Sequence, residues 1–151
     1  MLRIYVDTSV IGGCFDAEFS AWSEALFEEF SAGLKIPLIS DITLQELESA
    51  PVEVRFKIDM IEHQIEYVYF DQEVEKLALE YLKEKVVSEK YLLDAQHIAL
   101  ASIVRTDVLV SWNFKHIVNL NRIRLYNSVN MKQGYPLIDI RSPREVLNEK
   151  D

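Results

Sequence analysis

The segment Leu93 to Val104, LDAQHIALASIV, constrains the fold more than any other stretch of this chain. Ala95, Ile98, Ala99, Leu100, Ala101, Ile103 and Val104 surround a helix on nearly all sides. A helix that is apolar around its circumference is a central one. Short apolar runs alternate with helical patterns along the rest of the chain. Leu2 to Val6, Ile36 to Ile39, Ile65 to Phe70, Val108 to Val110 and Ile138 to Ile140 read as strands. Phe19 to Ala32 reads as a helix with Trp22, Leu26, Phe27 and Phe30 at helical spacing and Gly33 at its stop. Ser40-Asp41 starts another, Pro51 opens one over Val52 to Glu62, and Asp71 to Lys85 carries the apolar stripe Val74, Leu77, Ala78, Tyr81 and Leu82. Phe114 to Met131 reads as mostly helical, and Ser142-Pro143 opens a short last helix. This alternation predicts a layered α/β fold with a mainly parallel sheet. With 151 residues, half of them hydrophobic, and no linker, the expectation is one domain spanning 1–151.

In such a sheet, ligands bind beyond the carboxyl ends of the strands. Asp7 stands there, directly after RIYV, with Ser9 two residues on to hydrogen-bond it or a water. Capping of the following turn is an equal alternative for Asp7. Glu46, within SDITLQELES, falls one to two turns into a helix beside Leu44 and Leu47; Glu48 points elsewhere, and an ordinary surface glutamate is the plain alternative. Asp94 opens the all-apolar helix, where an ionised carboxylate needs a partner or a metal, although a helix N-terminus also favours aspartate. His97, one turn on, reads as a packed or hydrogen-bonded core histidine. Asn113 follows the strand Val108 to Val110 and offers a neutral oxygen; Trp112 and Phe114 read as packing residues, with Lys115 and His116 nearby.

Carboxylates and an amide are hard oxygen ligands of the kind that magnesium and manganese prefer. A cation among them makes water a better nucleophile and neutralises phosphate charge. No convincing Cys-His or Ser-His-Asp arrangement competes, and the single cysteine, Cys14, reads as a buried small hydrophobe. One cysteine also excludes an internal disulfide and a cysteine-based zinc cluster. Sixteen basic against twenty-five acidic residues, a net charge of −9, argue against a general nucleic-acid coat and restrict substrate binding to a local patch. They leave room for a basic protein partner. The N-terminus MLRIYVDTSV does not read as a signal peptide, and no run approaches a membrane span, so a cytoplasmic protein is expected.

The order VDTSV, ITLQELE, DAQHIALA and LVSWNF, from Leu2 to about Phe114, resembles the PIN-domain family, in particular the VapC-type toxins of toxin–antitoxin pairs; the tail IDIRSPREVL is similar too. The resemblance implies a three-layer α/β/α sandwich with acids converging on one metal site. Carried over by position, Asp7, Glu46 and Asp94 are the acids that would bind Mg²⁺ or Mn²⁺, and Ser9 is the small polar residue after the first. It further implies endoribonuclease activity on RNA, a homodimer and inhibition by an antitoxin. Asn113 departs from the pattern, standing where many members have an aspartate, and is expected as a weaker ligand or water-positioning group. Two other classes stay open. One is a PIN-like domain that has lost efficient catalysis and acts as a binding module for protein or RNA. The other is a phosphotransfer domain with Asp7 as nucleophile, although Ser9 stands where a phosphatase would have its second aspartate.

Overall fold

The computed structural model describes residues 1–149. Five strands, β1 (Arg3–Val6), β2 (Ile36–Ser40), β3 (Glu66–Val68), β4 (Val108–Val110) and β5 (Ile140–Arg141), form one sheet in the order β3-β2-β1-β4-β5. Every pairing is parallel, with Tyr5 opposite Leu38 on one side and Leu109 on the other. Eight α-helices connect them among the described residues: α1 (Thr8–Gly13), α2 (Ser20–Ser31), α3 (Asp41–Leu47), α4 (Val52–Phe56), α5 (Gln72–Lys83), α6 (Leu92–Ile103), α7 (Leu120–Gln133) and α8 (Pro143–Val146).

The strand side chains alternate between two cores. Tyr5, Leu38 and Leu109 join α5, α6 and α7 on one face of the sheet. Ile4, Val6, Ile39, Val108 and Val110 join Leu26, Phe27 and Phe30 of α2 on the other. A sheet buried on both faces is what a parallel sheet requires, and the result is a three-layer α/β/α sandwich. The helix expected to be central is so: Ala95 and every residue from His97 to Ser102 in α6 are buried. No helix among the described residues is long and apolar enough to cross a membrane.

Three expected elements differ. The helix over Val52 to Glu62 ends at Phe56, and Lys57–Gln64 continues as a 3-10 helix. Its buried Ile58 and Ile61 are spaced by three, which suits three residues per turn. The helix expected from Phe114 begins only at Leu120. Asn113 diverts the chain first, because its Oδ1 accepts the N–H groups of Lys115 and His116 at 3.2 and 3.0 Å. Such side-chain turns compete with helix. Asn119 then caps α7 by accepting from the Arg122 N–H at 3.1 Å. The last strand starts at Ile140 rather than Ile138, whose N–H and C=O are both taken by the Asn127 amide, at 2.7 and 3.0 Å.

Gly13, at the end of α1, lets Trp112 come close. A Cβ there would lie 2.6 Å from Trp112 Nε1 and 2.7 Å from Ser23 Oγ, two atoms already hydrogen-bonded at 2.9 Å. Gly13→Ala is therefore expected to destabilise the protein by about 1–3 kcal/mol and to shift its tryptophan emission. An unchanged denaturation midpoint would refute the close approach.

Candidate active site

Parallel pairing sets the ends of β1 and β4 side by side, with Val6 opposite Val110, so Asp7 meets Ser111. Asp7 is 6% exposed. It occupies the N-cap position of α1, yet its side chain caps nothing. Instead Asp7 Oδ2 accepts the hydroxyls of Ser9 at 2.6 Å and Ser111 at 2.8 Å. Those hydroxyls are themselves aimed: Ser9 Oγ accepts the Trp112 N–H and Ser111 Oγ accepts the Asn113 N–H, both at 3.0 Å. Capping, the alternative to a functional role, is thus not what the Asp7 side chain does.

Ser40 starts α3 by accepting the Thr43 N–H. This places Glu46 towards Asp7 and leaves Glu48 exposed without a partner among the described residues. Glu46 Oε1 accepts from Thr8 Oγ1 at 3.0 Å and from His97 Nε2 at 2.6 Å. The other ring nitrogen of His97, Nδ1, shares a 2.6 Å hydrogen bond with the Tyr5 hydroxyl, which donates to Ser40 Oγ at 3.0 Å when it accepts from the ring. His97 is therefore a hydrogen-bonded core histidine, as its place on α6 suggested. Thr8 and Tyr5 escaped the sequence reading. Thr8 had a signal, being the polar neighbour of Asp7; Tyr5 had none, since a tyrosine inside a strand reads as core.

Asp94 sits in the first turn of α6, where no side chain caps the helix. Its Oδ2 accepts from Asn113 Nδ2 at 3.3 Å. The two backbone donors on Asn113 Oδ1 fix the orientation of that amide. Asn113 accordingly presents its NH₂ to Asp94 and turns its oxygen away. The oxygen expected as a weaker ligand serves the local turn here. Burial, and then the charges of Asp7 and Glu46, raise the Asp94 carboxyl from 3.8 to about 6, while His97 and Asn113 work in the opposite direction. For His97, burial opposes charging but is outweighed by the Glu46 hydrogen bond and the charges of Asp7, Glu46 and Asp94, so its pKa lies above 6.5.

Each carboxylate therefore has one oxygen fixed by donors. Asp7 Oδ1, Glu46 Oε2 and Asp94 Oδ1 have no hydrogen bond among the described residues, and Asp7 Oδ1 lies 3.8 Å from His97 Nε2. These oxygens are not among the sealed, unpartnered atoms, which are Thr106 Oγ1 and His116 Nδ1. Among the described residues no three Asp, Glu, His or Cys side chains stand as a ready-made metal cage. Magnesium, however, keeps several waters and takes only one or two carboxylates. Repelling hard oxygens, each braced on one side and open on the other, fit that demand.

Both shifted groups hold their protons longer folded than unfolded. The Asp94 contribution to stability is complete below pH 3.8 and lost as pH rises through about 6. That of His97 is complete below 6.5 and lost above it. In chelator, Asp94→Asn is expected to gain melting temperature over the parent progressively from about pH 4 to pH 7. A pH-independent difference between the two melting curves would contradict the assignment.

The remaining candidates contribute no side chain to these contacts, although the Trp112 and His116 N–H groups donate to Ser9 and Asn113. Burial, with the nearby Glu24, pushes the Cys14 thiol up to about 12, so it is no nucleophile. Asp107 accepts the Arg3 N–H at 2.7 Å, at the amino end of the sheet. His116 is buried, with its pKa lowered by burial and by Arg122, Lys115 and Lys90. Trp112 packs as expected, stacked on Phe19 with centroids 4.2 Å apart, whereas Phe114 is 50% exposed.

The chain superposes on a chain in the crystal structure of VapBC2 from Rickettsia felis bound to a DNA fragment from their promoter, with a TM-score of 0.52 at 17% identity over 93% of this chain and 98% of that one. The likeness covers the whole sandwich, and the fold is PIN-like. No family model matches the sequence, and no curated protein matches it.

Proposed function

We propose that this protein is a metal-dependent endoribonuclease that hydrolyses RNA phosphodiesters and serves as the toxin of a toxin–antitoxin pair. The observation that carries the reading is the set of three carboxylates at one sheet edge, each with one oxygen braced and one open. Asp7, Glu46 and Asp94 would hold Mg²⁺ or Mn²⁺. When bound, the cation supplies the Lewis acidity that activates water and offsets phosphate charge. Ser9 and Ser111 orient Asp7, while Thr8 and His97 orient Glu46. Asn113 holds Asp94 by donating to it and lowers the cost of its ionisation. The likeness to a chain of VapBC2, which was crystallised on promoter DNA, supports an antitoxin partner. A homodimer and residence in the cytoplasm complete the proposal.

The test is cleavage of single-stranded RNA by purified protein. Activity is expected to vanish in chelator, to return with Mn²⁺, and to be absent in Asp94→Asn at every metal concentration. Cutting that survives chelation, or survives Asp94→Asn, sinks the reading. The second reading, a binding module with weakened catalysis, is favoured by one observation: a neutral amide, Asn113, stands against Asp94 and brings no negative charge to the site. Calorimetric titration separates the two, since failure to bind Mn²⁺ at near-millimolar concentration supports the module.

A further inference from the structure

A groove of about 650 Å³ runs between α5 and α7. Leu79, Leu82 and Val87 give it an apolar floor, and Lys83, Lys85 and Arg122 line its walls. It joins the carboxylate site through a continuous run of residues. Ser88 and Glu89 at its edge open the 3-10 turn Glu89–Tyr91. The Tyr91 ring lies on His116, with centroids 3.6 Å apart, and Lys90 Nζ lies 5.7 Å from the Tyr91 ring centre. The His116 N–H is held by Asn113, which holds Asp94. In a chain of net charge −9, Lys83, Lys85 and Arg122 line the groove with one carboxylate, Glu89, and Lys90 and Lys115 lie about the Tyr91–His116 pair that leads from it. The field is felt inside: Arg122, Lys115 and Lys90 all disfavour the His116 proton. Among the described residues, Lys83, Lys85, Lys90 and Lys115 have no ion-pair partner within 4.0 Å, unlike Lys35, Lys57 and Lys132.

We infer that this groove binds the backbone of single-stranded RNA on one side of the cleavage site, with phosphates on the lysines and bases against the apolar floor. An acidic chain can bind a polyanion only where its cations are gathered and unpaired, and single-strand sites combine a basic track with apolar or aromatic faces for bases. The inference rests on the ribonuclease reading, and its test is kept apart from catalysis.

The triple variant Lys85→Gln, Lys90→Gln, Lys115→Gln is compared with the parent by fluorescence anisotropy on a 2′-O-methyl single-stranded RNA in chelator. Each lost phosphate contact removes ~0.7 from the slope of log affinity against log salt, so the slope is expected to flatten by about 2 and affinity to fall at least tenfold. A control variant, Arg55→Gln, Arg105→Gln, Arg144→Gln, removes the same charge elsewhere and is expected to bind as the parent does. Thermal melting checks that both variants fold. Unchanged affinity and slope in the first variant, or an equal loss in the control, overturns the inference. So does polyglutamate that competes as well as RNA, which would make the groove a site for an acidic protein. Metal-dependent cleavage can fail while this binding holds, and the reverse, so the two readings fall separately.

Discussion

Asp7→Asn is expected to lower RNA cleavage by at least about a hundredfold, more than the loss typical of residues that only orient a metal ligand, while leaving the protein folded. The stability half follows from the contacts. The Ser9 and Ser111 hydroxyls, which donate to Asp7 Oδ2, retain an acceptor in the asparagine oxygen. The negative charge that helps to raise the Asp94 carboxyl disappears, so Asp94 should ionise at lower pH in the variant. Cleavage assays and a carboxyl-resolved NMR titration check the two halves. A variant that cuts RNA at the parent rate would remove Asp7 from the site, whatever its melting temperature.

The second large effect is on stability. His97→Ala is expected to cost roughly 2–4 kcal/mol, from the cavity beside Tyr5 and the loss of a donor to Glu46. His97 is 1% exposed and bridges Tyr5 to Glu46 through two 2.6 Å hydrogen bonds. Removing it also takes away a charge that lowers the Asp94 pKa, so that carboxyl should rise further. A melting temperature depressed by roughly ten degrees is the readout. A change of less than about one degree would show that the bridge contributes nothing.

The layers of this fold are legible in residue order because the relevant forces are local. Apolar runs of strand length and the all-round apolar pattern of α6 identify the sheet and its central helix. Two of the three misplaced boundaries share one cause: asparagine side chains. Asn113, Asn119 and Asn127 each capture backbone groups that a periodicity reading assigns to helix or strand. The candidate site was legible as a set of carboxylates at strand and helix ends, because those positions are set by topology. What surrounds them was not. Ser111 reaches Asp7 only because β1 and β4 pair, and Tyr5 reaches His97 only because α6 crosses that face of the sheet. The orientation of the Asn113 amide is likewise decided by a turn, which aims its NH₂ at Asp94.

The strand order has a consequence for synthesis on the ribosome. β1 is made before the other four strands and lies in the middle of the sheet, and its β4 neighbour ends at Val110. Pairings so distant in sequence form late. A nascent chain that stops before Leu92 carries Asp7 and Glu46 but lacks Asp94, the central helix and one flank of its first strand. Domains fold as units as they emerge, so the cleavage proposed for this site is expected only after β4 has been made. Chains terminated before Leu92 are then expected to lack the three-carboxylate set on which that proposal rests.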